Sequence, residues 1–191
     1  MVDGRQLRRE QNRQAAVEAL VALYRAGRFE PSAAEIAEQA GLSPRSLFRY
    51  FDDTEDLARA AIAHHHRLAG PLLAIDATPD DELAVRIDCV VANRLRLWSA
   101  IAPSARVARM RAPTSALLGR ELRRNRARLR TQLAELFAPE VEGRPEVLAA
   151  VDVLCSFESV DLLVNDQRLS RQRAGAALTR ALTAVLGGDP R

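Results

Sequence analysis

The chain has 191 residues, of which 48% are hydrophobic and only 4% aromatic, and it carries a net charge of +3. That length suits one large domain, or a small domain of about 50 residues fused to a larger one, and the alanine- and leucine-rich apolar content points to an all-α globule. No run approaches the eighteen or so apolar residues of a membrane span, and no uninterrupted apolar stretch follows the charged opening MVDGRQLRREQNR, so a signal peptide is not expected and a cytoplasmic protein is.

In chain order, start and stop signals mark about nine helices and no strand. The first covers residues 5 to 27 and ends at Gly27. The second, 32 to 40, opens on Ser32 after Pro31 and stops at Gly41. Ser43 caps a third, with Pro44 in its first turn, where the missing N–H costs nothing. Asp53 or Thr54 caps the fourth, which has Glu55 and Asp56 at its positive end and runs towards Gly70 and Pro71. Thr78 and Pro79 open a fifth, with Asp80, Asp81 and Glu82 in its first turn, that lasts to Ile101. Pro103 and Pro113 bracket a short helix, and an arginine-rich helix follows to Phe137, where Pro139 ends it. Pro145 and Ser170 open the last two, which stop near Asp166 and Gly187. The loops are too short for a flexible linker. The expected boundary lies in the fourth helix, giving a small unit of residues 1–57 and a larger one of residues 58–191.

The stretch GLSPRSLFRYF, Gly41 to Phe51, is the most informative. In the helix before it, Ile36, Ala37 and Ala40 share a face, and small Ala37 lets another helix approach. Gly41 can reverse the chain, Leu42 plugs the turn, and Ser43 restarts a helix, which is the pattern of a helix-turn-helix. Leu47 and Phe51, four apart, face the core and leave Arg45, Ser46, Phe48 and Arg49 pointing elsewhere. Arg45 can fork to guanine in a major groove or hold a phosphate; the competing reading is an ordinary helical hairpin with a solvated arginine face. Charge does not decide, because residues 1–57 hold Arg5, Arg8, Arg9, Arg13, Arg25, Arg28, Arg45 and Arg49 against ten acidic residues. Any affinity for DNA has to come from how the arginines cluster.

The segment SAAEIAEQAGLSPRSLFRYFDDTEDL, Ser32 to Leu57, closely resembles the DNA-binding signature of TetR-family transcriptional regulators. The resemblance implies a dimeric repressor whose third helix enters the major groove, with double-stranded DNA as partner and a helical second domain that binds a small molecule and dimerises. Carried over by position, Arg45, Ser46 and Phe48 would face bases or nearby phosphates, with Ser43 and Arg49 on the same helix, and Tyr50 would bond phosphate through its hydroxyl. Ser32 would offer phosphate its hydroxyl and the second helix's positive end. The family often has Lys where this chain has Thr54, so one phosphate contact is lost or reduced to a hydroxyl. Arg5, Arg8 and Arg9 can compensate at the backbone or minor groove.

The second domain has to be read for itself. Leu83, Ile87, Val90, Arg94, Leu97 and Ile101 form one stripe with Arg94 its single charge, and Leu148, Val151, Cys155, Glu158 and Leu162 form another with Glu158 its single charge. Three readings stand: an Arg94–Glu158 buried pair, an arginine that snorkels to the surface, or an effector-binding Arg94 in an apolar pocket with Asn93, Trp98 and Met110 nearby. His64, His65 and His66 point about 100° apart on a helix, so a metal site is not expected, and solvated or interface histidines are. The arginine run from Arg106 to Arg130 reads as a solvated face, or as a funnel for an anionic effector. Val147, Val151, Leu154 and Leu162 with Ala174, Ala177, Leu178, Ala181, Leu182 and Val185 carry more apolar surface than one domain needs, which points to a two-fold four-helix interface.

Cys89 and Cys155 read as buried small hydrophobes in a reducing compartment. No nucleophile, base and orienting group share a motif, so the chain is not expected to be an enzyme, and no cofactor is implied. The expected function is a repressor released from a palindromic operator by a small-molecule effector. The alternatives are a DNA-bound adaptor that answers to a protein partner, and a helical enzyme.

Overall fold

The computed structural model describes residues 4–188, without the side chains of His65, His66 and Leu68, so the reading of His65 and His66 lies outside the described residues. Among the described residues the regular elements are all helical. They are α1 (Gly4–Arg25), α2 (Ala33–Gln39), α3 (Pro44–Leu47), α4 (Thr54–Ala69), α5 (Leu83–Arg111), α6 (Ala116–Leu136), α7 (Ala138–Val141), α8 (Pro145–Leu154), α9 (Phe157–Asp161) and α10 (Arg171–Leu186). A 3-10 turn, Gly70–Leu73, follows α4, and a π-turn, Leu162–Asp166, continues α9.

The chain divides into two compact units between Leu68 and Ala69, eleven residues beyond the boundary expected near 57. The fourth helix up to Leu68 goes with the first unit because it is tied to α1. Arg13 lies 3.9 Å from the Asp56 carboxylate, and Gln14 Nε2 meets His64 Nδ1 at 3.0 Å.

In the first unit α1 buries Ala16, Val17, Leu20, Val21 and Tyr24, spaced to share one face. Gly27 ends the approach to α2 at φ 80°, and Gly41 turns α2 into α3 at φ 67°, the left-handed region that glycine enters without penalty. Ser32 and Glu35 form a reciprocal capping box on α2, Ser43 caps α3, and Asp53 rather than Thr54 caps α4 by accepting from Asp56 N–H at 2.7 Å.

The second unit is built on α5, which packs against α6, α9 and α10, while α8 joins α6 to α10. Its core contains Ile87, Val90, Leu97, Leu133, Phe137, Val151, Leu178 and Leu182. Three expectations are corrected here. First, the fifth helix starts at Leu83, because the Asp81 carboxylate accepts from Thr78 N–H at 2.7 Å and from its hydroxyl at 3.0 Å, closing a separate turn before the helix. Second, α5 runs through Pro103 to Arg111 in place of a break and a short helix. An interior proline costs about 3 kcal/mol, but the buried Ala105 and Val107 beyond it continue the packed face and offset that cost. Third, the helix expected from 145 to 166 is interrupted at Cys155. Ser156 accepts from Ser159 N–H at 3.2 Å, starts α9, and resets the phase of every residue after it.

Ser170 caps α10 as expected, after Arg168 reverses the chain at φ 57°. Of the residues expected at an outer face, Val147, Val151, Ala174, Leu178 and Leu182 are instead buried within this unit. Leu154 and Val185 pack partly buried against the same core, and what remains outward of that set is Leu162 at 48% exposure with the partly exposed Ala177 and Ala181, joined by Val153 at 64%, which the sequence did not single out.

Candidate functional site

α3 is a single helical turn prolonged by bonds from Arg49 N–H to Ser46 O and from Tyr50 N–H to Leu47 O. Leu47 and Phe51, each 2% exposed, anchor it from below. Arg45, Phe48 and Arg49 are therefore held outward, and Ser43 and Thr54 are exposed beside them, with Ser46 and Tyr50 half-buried. Phe48 is half exposed, a large apolar ring in water next in sequence to the exposed Arg49.

An arginine that spacing alone does not single out fixes this presentation. Arg13, on α1, donates to Tyr50 O at 2.8 Å, and its guanidinium lies 4.6 Å from the centre of the Phe51 ring. Its neighbour Asn12 donates to the Tyr50 hydroxyl at 2.8 Å, which leaves that O–H free to donate to an incoming acceptor. Thirty-seven residues separate Arg13 from Tyr50, so only the folded chain reveals the clamp.

Several acidic residues of this unit are spent on structure. Glu35 pairs with Arg28 and closes the capping box, Asp53 caps α4, and Asp56 meets Arg13 and Arg59. Arg45 and Arg49 have no acid within 4.0 Å among the described residues, so they keep their charge for an outside partner. The Ser32 hydroxyl, expected to meet phosphate, donates to Glu35 Oε2 at 2.9 Å and so presents a carboxylate next to itself. The hydroxyls of Ser43 and Ser46 lie 2.9 Å apart. Arg5 and Arg9 stand exposed on the first turns of α1.

In the second unit the Arg94–Glu158 pair, one of the three readings, does not form. The new start at Ser156 turns Glu158 out of the apolar stripe to Arg109, 2.8 Å away, and to Arg126. Burial pushes the Glu158 carboxyl up, but hydrogen bonding from Arg109 and the charges of Arg109 and Arg126 outweigh it and hold the group at about 2. The Arg109 guanidinium also sits 4.3 Å from the centre of the Phe157 ring.

Arg94 does lie in the core, 1% exposed, donating to Asn93 Oδ1 at 2.8 Å and to Gln132 Oε1 at 2.9 Å. Asn93 is buried beside it. Trp98 is buried too, and spends its N–H on Cys155 O at 3.0 Å. Met110 is 57% exposed, outside the apolar interior in which it was expected. Sequence reasoning missed Gln132, an amide in an arginine-rich helix. Burial pushes the Cys155 thiol up to about 12, so it is an inert core group. Among the described residues no three acidic, histidine or cysteine side chains are grouped to hold a metal, and no helix is long and apolar enough to cross a membrane.

Residues 29–61, which contain this exposed turn and its anchors, match the model for bacterial regulatory proteins of the tetR family. The fold is similar to the crystal structure of a transcriptional regulator from Rhodococcus sp. Rha1, with a TM-score of 0.70 at 18% identity over 94% of this chain and 96% of that one. No curated protein is significantly similar to the chain.

Proposed function

A chain that carries the tetR-family DNA-binding domain is a DNA-binding transcriptional regulator, and from that premise we propose that it is a homodimeric repressor released from a palindromic operator by a small-molecule effector. The observation that carries the DNA-reading part is the charge left over around α3. Arg45 and Arg49 face outward without acidic partners while Leu47 and Phe51 anchor the turn. In this reading Arg45, Ser46 and Phe48 meet base edges, the ring of Phe48 lying against a thymine methyl, and Ser43, Arg49, Tyr50 and Thr54 hold phosphates. Arg5 and Arg9 reach the flanking backbone or minor groove.

A two-fold dimer matches a palindrome. The exposed Val153 and Leu162 and the partly exposed Ala177 and Ala181 of the last helices support self-association, and the second unit then serves as effector-binding and dimerisation domain. Work on chromosomal DNA places the protein in the cytoplasm. The effector acts through the second unit, with Arg94, Asn93 and Trp98 as its inner polar groups; Met110 and Glu158 stand outside that interior.

Selection of bound duplexes from a random pool tests the reading. The wild-type protein enriches a palindrome, and Arg45→Ala binds it about 1 to 3 kcal/mol more weakly with relaxed preference at one base pair per half-site. Equal, sequence-independent binding by both proteins would reduce α3 to a phosphate clamp and remove base readout from the proposal.

A further inference from the structure

The second unit contains two buried arginines that are treated in opposite ways. Arg86 has a bidentate partner in Glu140, both distances 2.7 Å, and also donates to the carbonyls of Asp81 and Leu136. Its charge is neutralised and its donors are used, as a structural guanidinium requires. Arg94 is buried more deeply but has only neutral partners, the side-chain oxygens of Asn93 and Gln132. Two of its five N–H donors are taken, and no carboxylate lies within 4.0 Å among the described residues. Asp152 acts on it only at longer range and is itself paired with Arg130 at 3.4 Å.

The two amides are not free to rearrange. Asn93 Nδ2 donates to Leu72 O at 2.9 Å and to Ala74 O at 2.7 Å, and Gln132 Nε2 donates to Leu73 O at 2.7 Å. With their NH2 groups fixed on three successive carbonyls, their oxygens are aimed at the guanidinium. One network thus joins a buried, uncompensated cation to the segment Leu72–Ala74, in the 3-10 turn and just after it, where the chain continues from α4.

We propose that Arg94 anchors a monocarboxylic acid with an apolar body, and that the acid draws the guanidinium from Asn93 and Gln132 and so loosens their hold on Leu72–Ala74. A single carboxylate matches the single positive charge and the planar fork, whereas a phosphate dianion would bring a second negative charge into a core that has no further unpaired cation among the described residues. The apolar body suits the core cluster of this unit, which includes Val90, Leu97, Trp98 and Val151. This inference rests on the ligand-responsive reading of the second unit, and adds to it the ligand's chemical class and the residues that sense it.

The test is thermal melting of the full chain without DNA, with benzoate, octanoate and dodecanoate, each set against the amide of the same skeleton. At least one acid raises Tm by about 2 to 4 °C while its amide does not, and Arg94→Met abolishes that shift. Gln132→Glu places a carboxylate against Arg94 from within, so it removes the response even if Arg94→Met fails to fold. Amide hydrogen exchange at Leu72–Ala74 rises when the acid is bound. No shift with any of the acids, equal shifts with acid and amide, or a shift that survives Arg94→Met or Gln132→Glu would overturn the assignment, and unchanged exchange at Leu72–Ala74 would overturn the relay. Because the readout needs no DNA, a protein that releases no operator would defeat the repressor reading and leave this result standing.

Discussion

At the scale of single residues, partnership decides what a charge does. Glu158 is lowered to about 2 by Arg109 and Arg126, so its interactions favour the folded state at all pH values above the ordinary carboxylate range and are lost as pH falls from about 4.5 towards 2. The group is nearly half exposed and solvent screens it, so the loss is about 1 kcal/mol or less. Wild-type protein and Glu158→Gln should therefore differ in urea midpoint at pH 6 and converge near pH 2. A difference that persists at pH 2 would mean that packing, not charge, sets the value of this side chain. The burial of Arg94 was legible as one charge in an apolar stripe, but its partner was not. Gln132 lies 38 residues away, and no local pattern marks an amide as the partner of a distant guanidinium.

At the scale of elements, the starts of α2, α3 and α10 were legible because a cap is a local device: Ser32, Ser43 and Ser170 each accept from an N–H three residues on. Ser156 works in the same way but stands inside a run that is apolar on both sides, so the run hid the cap. Ser156→Ala should cost about 1 kcal/mol in chemical denaturation and weaken the Arg109–Glu158 pair by freeing the phase of α9. An unchanged midpoint would mean that the contacts of Phe157 and Val160, both buried, hold α9 without its cap. Pro103 is the opposite case. A strong local stop signal is overruled by burial on either side of it, and burial is not visible until the chain has folded.

At the scale of the molecule, net charge hides a division of labour. All 28 basic residues are arginine, and Glu35, Asp53 and Asp56 of the first unit are used on caps and pairs, while a nearly neutral unit still exposes Arg45 and Arg49. Affinity for operator DNA should therefore fall linearly on a log–log plot against salt, and Arg49→Ala should reduce the slope by about 1 per protomer. An unchanged slope would show that Arg49 holds no phosphate. The all-α class and the helix-turn-helix were legible because they follow from composition and from turn chemistry over a few residues. The outward face of the last two helices was not, because an apolar stripe reads the same whether it meets its own domain or a second chain.

The clamp made by Arg13 has a consequence for genetics. A screen for loss of promoter control should recover Arg13 substitutions alongside those of Arg45, although Arg13 is spent on Tyr50 O and on the face of Phe51. The two classes separate by phenotype. Arg45 alleles keep a full-length, heat-stable product that selects promoters poorly, whereas Arg13 alleles lose every promoter together and become temperature-sensitive.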